Sequence, residues 1–412
     1  MNNPLVLRLL WSLAGQLRRQ ESPAPVIFQD VTVAQNFTNA PAVASISADF
    51  ELCWAWRSLP VADCERLGRM ERSNVPLILK ILEEAQVPIT WATVGHMFLD
   101  RCHRGAGGCP HPDMPRPQKN ILWDGDWYRH DPCSNVSDSP GWYAPDLIRM
   151  IQESPVRHEL GTHSFSHIDF SSDTSTPELV RAELLASVEA MRPFGVKPTS
   201  LVFCFNHMGH HYQDLLAELG ITAVRHRDDR FRLAEPERSS AGVYRIFETM
   251  NLRRARRYDY VAKARIFIDS AIQRRTSYHL WFHPSDNPST FRDIFAPIVQ
   301  YIGAKGRENL LWVATMSEVA AYREARSKLF IRVEKKGSNW RLNLESTLDR
   351  DRFGDPEVTL LVSCDEAPRL MMVVDVKGGR APAPLAFQFC EHLREAKFNL
   401  RTSSAQVEIR WK

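Results

Sequence analysis

Between residues 41 and 326 short apolar, β-branched runs alternate with stretches whose apolar residues recur every three or four positions. The runs are AVASISADF ending near Asp49, ITWATVG from Ile89, HELGTH to His163, SLVFCFN to Asn206, ITAVRH to His226, GVYRIF from Gly242, SYHLWFH to His283 and LLWVATM from Leu310. Spacings such as Val75, Ile78, Ile81, Leu82 and Leu179, Leu184, Val188, Met191 predict helices with one buried face, and a further helix is expected over Tyr258–Gln273. Strands alternating with crossover helices mean a parallel sheet. Seven or eight of them predict an α/β fold, a distorted (β/α) barrel, over 41–326. No glycine-rich fingerprint follows the first strand, which argues against a dinucleotide-binding sheet.

Beyond residue 326 the texture changes to short alternating strands with Gly, Asn and Asp in the turns: LFIRVEK, WRLNLES, VTLLVSC, RLMMVVDV and AQVEIRW. They predict a small antiparallel β domain of sandwich type over 327–412. Residues 1–40 read as an amphipathic helix, Leu5 to Leu17, followed by a linker. Arg8 interrupts the apolar run, which is too short to span a bilayer and has no small-residue cleavage site after it. That leaves a helix docked on its own protein, or one lying on a membrane surface.

Composition changes this picture little. The 412 residues are 44% hydrophobic and 25% charged, and 52 Lys and Arg against 49 Asp and Glu leave a net +3, too weak a bias for a nucleic-acid partner. Eight cysteines in so long a chain point to thiols in a reducing, cytoplasmic compartment rather than a disulfide scaffold. Arg253, Arg254, Arg256 and Arg257 form a basic run that is either a solvated face or a contact for the phosphate of a lipid- or nucleotide-linked sugar at the inner membrane surface.

The chemistry-bearing residues fall where strands end, and in a barrel those ends converge on one face. His163 and His167 stand four apart, so on a helical turn their imidazoles would face the same way and share a metal. Asp49 and Glu51 alternate along a strand, with Phe50 pointing the other way. One carboxylate on a metal and one free to take a proton is the arrangement metal-assisted hydrolysis needs. In HELGTH the second histidine falls one position too late for a helical metalloprotease motif, which leaves His158 as a loop or core histidine. The long excursion Arg101–Tyr143 carries Trp123, Trp127, Tyr128, Trp142 and Tyr143, which could stack on sugar faces, and Cys102, Cys109, Cys133, His103 and His111, which could hold a second, structural metal or a disulfide although their spacing matches no standard zinc module.

These residues resemble the polysaccharide deacetylases of the NodB-homology type, carbohydrate esterases with a distorted (β/α) barrel. The first motif is matched by Ser47-Ala48-Asp49-Phe50-Glu51, the second by His163-Ser164-Phe165-Ser166-His167, and the late Leu-x-His motif by Leu280-Trp281-Phe282-His283. The resemblance implies a hydrolase of linear amides that removes an N-acetyl group from a sugar or glycan. In it Asp49 is the general base, Glu51, His163 and His167 bind a divalent metal, most simply Zn²⁺, and His283 is the general acid. Asn206, Trp127, Tyr143 and Trp281 would face the sugar. The family's third motif carries an Arg that orients the base, whereas this chain reads Phe203-Cys204-Phe205-Asn206-His207, and Arg225 at the next strand's end is the nearest substitute. The alternatives are a non-catalytic glycan-binding protein on the same fold and a hydrolase of another non-peptide C–N bond, a formamide or ureide.

Overall fold

The computed structural model describes residues 30–411 except 121, 228–232, 253–258 and 375–381, together with all their side chains but that of His210. The expected helix Leu5–Leu17 and the arginine run 253–257 lie outside the described residues. Among the described residues no helix is long and apolar enough to cross a membrane.

All eight sequence-predicted strands of the first unit form. In chain order, with one short N-terminal and two further short strands added, they are β1 (Val31–Val33), β2 (Ala42–Phe50), β3 (Thr90–Thr93), β4 (Glu159–Thr162), β5 (Ser200–Leu201), β6 (Ala223–His226), β7 (Glu237–Arg238), β8 (Tyr244–Phe247), β9 (Met250–Asn251), β10 (Ser277–Phe282) and β11 (Leu311–Val313). Every residue of β2 is buried, as a strand covered on both faces requires. It pairs in parallel with β3 and β10, and the sheet continues from β3 through β4, β5 and β6 to β8.

One run of chain closes the barrel. Its first half, β8, pairs with β6, and its second half, β9, pairs with β10. Between them the Glu248 amide donates to the His226 carbonyl (3.0 Å) and the Thr249 amide to the His279 carbonyl (2.9 Å). The distortion lies where two short strands wedge into the wall. β11 pairs with Ala42–Ala44, on the side of β2 that β3 occupies from Ser47 onward, and β7 pairs antiparallel with β8.

The crossover helices follow the sequence periodicity. Val61–Ala85 buries Cys64, Glu71, Val75, Ile78 and Leu82 along one face. In Pro177–Met191 the Thr176 hydroxyl caps the Leu179 amide, and in Tyr260–Arg274 the Asp259 carboxylate caps that of Ala262. The helix Met316–Lys328 starts with a reciprocal Thr315–Glu318 capping box. It buries Val319, Ala320 and Tyr322 against Leu360 and other residues of the C-terminal unit, so one apolar core joins the barrel's outside to that unit.

That unit holds two antiparallel sheets. One contains β12 (Leu329–Lys336), β13 (Asn339–Ser346), β15 (Leu370–Val374), β16 (Ala383–Pro384) and β19 (Gln406–Arg410), and the other β14 (Glu357–Ser363), β17 (Phe387–Cys390), β18 (Glu395–Arg401) and β1. Alternate residues Val358, Leu360 and Val362, with Ala396, Phe398 and Leu400, face the core. Val31–Val33, expected as linker, is thus an edge strand paired with Leu360–Val362.

Candidate active site at the barrel mouth

Asp49 is the last but one residue of β2 and Glu51 follows the strand, both buried, with Phe50 turned away against Trp91 at 5.7 Å between ring centroids. The Glu51 amide donates to Glu71 Oε1 (2.8 Å), a carboxyl on the buried face of the first crossover helix. Burial, and then the charge of Glu51, push the Glu71 carboxyl well above the usual carboxylate range.

His163 and His167 come together, though not on a helix. They flank a loop in which Ser164 (φ 58°) and His167 (φ 57°) take left-handed backbone, which turns the second imidazole back toward the first at 5.0 Å between centroids. Glu183 holds the loop, accepting from the Phe165 amide (2.9 Å), the Ser166 amide (2.7 Å), the Ser166 hydroxyl (2.6 Å) and the Tyr128 hydroxyl (2.9 Å). Upstream, a Cβ on Gly161 would stand 2.3 Å from Ser200 Oγ and 3.1 Å from the Ser200 carbonyl, so only glycine lets β4 approach β5 there.

The donor arithmetic at Glu51 points to a cation. His163 Nδ1 lies 2.8 Å from the Val202 carbonyl, which can only accept, so Nδ1 carries a proton and Nε2 is the nitrogen turned to Glu51. Burial would lower this imidazole, but Cys204 and Glu51 hold it well above its usual range, so a cation would take the place of a proton at Nε2. That Nε2 stands 2.9 Å from Glu51 Oε1, and His167 Nε2 stands 3.1 Å from the same oxygen. Glu51 Oε2 and His167 Nδ1 are buried with no hydrogen-bond partner. Burial pulls His167 down to about 4, leaving it neutral at pH 7. Burial would raise the Glu51 carboxyl, but His167, His283 and His163 facing it hold it well below the usual range. Two imidazole nitrogens and a carboxylate converging in a closed pocket fit a divalent cation of the zinc type.

Asp49 has different company. Arg225, fully buried at the end of β6, reaches it with two guanidinium nitrogens: Nη1 to Oδ1, and Nη2 to Oδ2 at 2.7 Å. The same guanidinium donates to Ser47 Oγ (3.2 Å) and Asn206 Oδ1 (3.1 Å) and lies 4.3 Å from the centre of the Trp281 ring. His283, just past β10, places Nε2 3.8 Å from Glu51 Oε2 and 4.0 Å from Asp49 Oδ2, and its side chain is 30% exposed. Trp56 and Trp281 flank its ring at 6.0 and 5.3 Å.

Three expected sugar contacts are corrected. Trp127 is buried under Arg57, its indole N–H on Ser166 Oγ (2.9 Å), and Tyr143 is wholly buried, with the Ser134 amide donating to its hydroxyl (2.9 Å). Trp281 is covered by Arg225. None offers a free ring face: the excursion 101–143 folds Trp127 and Tyr143 inward as core, and the Arg225 guanidinium lies over Trp281 on β10. Asn206 does lie at the mouth, half-buried, with its oxygen engaged by Arg225. Sequence reasoning missed Glu71, Glu183, Arg57 and Trp56. For Glu183 the signal was present: it falls within the apolar stripe Leu179, Val180, Leu184, Met191 of its helix. Arg57 is buried, donating to the Trp54, Trp127 and Ser166 carbonyls.

The fold and this cluster define an α/β barrel protein whose buried acids, imidazoles and arginine meet at the C-terminal ends of its strands. Residues 63–224 match the family model Polysaccharide deacetylase, which makes this part of the chain similar to that family. The match takes in His163, His167 and Glu183, begins after Glu51 and stops just before Arg225. Among solved structures the chain is similar to a candidate polysaccharide deacetylase from Mycobacterium smegmatis, at 18% identity over 73% of this chain and 93% of that one, with a TM-score of 0.48. It is also similar to the peptidoglycan deacetylase PdaC from Bacillus subtilis, at 11% identity over 67% and 89%, with a TM-score of 0.33. No curated protein matches the chain.

Proposed function

We propose that the chain is a metal-dependent hydrolase that removes an N-acetyl group from a sugar residue of a glycan or glycan precursor. The observation that carries this reading is the division of labour at the mouth: Asp49 gripped by Arg225, and Glu51 facing two imidazole nitrogens with one oxygen. The match of residues 63–224 to the deacetylase family model supports amide hydrolysis as the reaction class.

Glu51, His163 and His167 would hold a divalent cation, most simply Zn²⁺. When bound it supplies positive charge that polarises the acetyl carbonyl and acidifies water. Asp49 accepts the proton of the attacking water, and the two-nitrogen grip of Arg225 fixes the plane of its carboxylate. Arg225 is a positioning residue, itself placed by Ser47, Asn206 and the Trp281 ring. His283, facing both carboxylates yet open to solvent, donates to the departing amine nitrogen as acetate leaves. Glu71 and Glu183 hold the two ligand-bearing segments in place. The eight unpaired cysteines support a reducing, cytoplasmic compartment.

The test is acetate release from N-acetylated oligosaccharides by zinc-loaded protein. Turnover that disappears in Asp49→Asn while metal content stays supports the proposal. Bound zinc, tight glycan binding and no acetate from any N-acetylated glycan would replace it with a non-catalytic binder.

A further inference from the structure

Behind the His163–His167 loop lies a second cluster that the proposed reaction does not use. His96 comes from the turn after β3, and Cys102, His111 and Asp131 come from the excursion 101–143. Their ligand atoms all lie within 4.8 Å of one another. His111 Nε2 is 2.8 Å from Asp131 Oδ2, His96 Nε2 is 3.3 Å from the same oxygen, and Cys102 Sγ is 3.6 Å from it. In a tetrahedral zinc site ligand atoms stand roughly 3.3–3.8 Å apart, so little adjustment separates this cluster from a coordination sphere.

His96 is the discriminating residue. Its ring is wholly buried, and neither Nδ1 nor Nε2 makes a hydrogen bond, although every imidazole must carry a proton on at least one nitrogen. Trp54 (4.4 Å), Tyr143 (5.1 Å) and Phe165 (5.4 Å) wall it in and aim Nε2 at Asp131. Asp131 is just as enclosed, its other oxygen fixed by the Cys133 amide (2.8 Å). His111 enters the cluster on left-handed backbone (φ 44°), a conformation that asks for a compensating interaction.

We propose that His96, Cys102, His111 and Asp131 form a structural metal site, of zinc-type chemistry, separate from the mouth. Of the cysteines and histidines that sequence spacing brought to notice, Cys102 and His111 belong to it, whereas His103 is exposed and Cys109 is engaged by Arg116 (3.3 Å). A bound ion would tie the long excursion to the loop that carries His163 and His167. The strand-end turn of His96 already touches that loop, the Gly95 amide donating to the Ser164 carbonyl (2.8 Å) and the His96 amide to that of Phe165 (3.0 Å).

The experiment loads the full-length chain with Zn²⁺ or Co²⁺ and measures metal per chain after gel filtration, together with the near-ultraviolet thiolate–cobalt absorption. In His163→Ala/His167→Ala, which disables the mouth, one metal per chain and the thiolate band are expected to remain. Adding Cys102→Ser should remove the band, and adding His111→Ala should cut metal affinity at least tenfold. Folded double variant without metal, or cobalt bound with no thiolate band, overturns the site. If the double variant does not fold, wild-type protein decides: a band lost in Cys102→Ser but kept in Cys204→Ala supports the proposal, and the reverse overturns it. Failure of the deacetylase reading is distinguishable, since it is read from acetate release by wild type, whereas this site is read from the metal and thiolate band that persist when the mouth is disabled.

Discussion

Asp49 and Glu51 stand two residues apart on one strand end, yet the two sides of the mouth they occupy are opposites. On the Asp49 side a fixed guanidinium satisfies both carboxylate oxygens. On the Glu51 side two imidazole nitrogens crowd one oxygen while the other has no partner. On the proposed reading these surroundings give two similar carboxylates different work: Asp49 has its own cation in Arg225, and Glu51 would take a metal. The segment after β5, where the resemblance places an arginine, holds none. Arg225 reaches Asp49 from the adjacent strand, since β5 and β6 are parallel neighbours.

Removing a ligand on the Glu51 side should have the largest effect. His163→Ala is expected to lose the cation of the mouth and, with it, acetate release to below detection, read by metal analysis alongside product assay. Asp49→Asn should lower kcat by about 10³, within the range for losing a general base, with metal content unchanged. Metal lost in Asp49→Asn but retained in Glu51→Gln would reverse the two sides. Arg225→Lys keeps the charge but not the paired grip, and should cost about 10–100-fold in kcat with little change in KM or metal content. A change in KM alone would make Arg225 a substrate contact instead.

A smaller prediction tests what holds the Glu51 side in shape. Glu183→Ala leaves the buried Phe165 and Ser166 amides without their acceptor, which should cost about 3 kcal/mol in urea unfolding. Because that loop carries both histidines, metal affinity should fall with it. On the Asp49 side the grip comes instead from a side chain on β6 itself.

The strands were legible because β2, β4 and β10 are buried runs with polar residues placed at their ends, and burial and ending are both written in local sequence. The convergence of Asp49, Glu51, His163 and His283 followed from parallel topology alone. The left-handed residues Ser164 and His167 left no such trace, because any short polar loop of this composition could have been a helical turn. The inward folding of 101–143 was hidden for a similar reason: without a period, aromatic content does not say which way the rings face. Val31–Val33 was invisible as a strand because its partner, Leu360–Val362, lies more than 300 residues away.

The mouth can finally be set against two histidines that face none of its carboxylates, half-buried His158 before β4 and fully buried His279 within β10. Burial pulls His158, at the start of β4, down to about 4, and its Nδ1 accepts from the Ile89 amide (3.2 Å). Burial, and then the charge of Arg225, pull His279 down to about 3, its ring held by Ser45 and Ser47. Both folded values lie below the ~6.5 of an unfolded chain, so the unfolded state binds protons first as pH falls. Stability from these residues is therefore complete above about pH 6.5 and is lost progressively toward pH 4 and 3. Replacing His158 with Gln should flatten the fall of unfolding free energy between pH 6 and 4 by about 1.4 kcal/mol per pH unit. Equilibrium urea unfolding across that range reads the slope. An unchanged slope would mean that His158 titrates alike in both states, and that its surroundings are wetter than their packing implies.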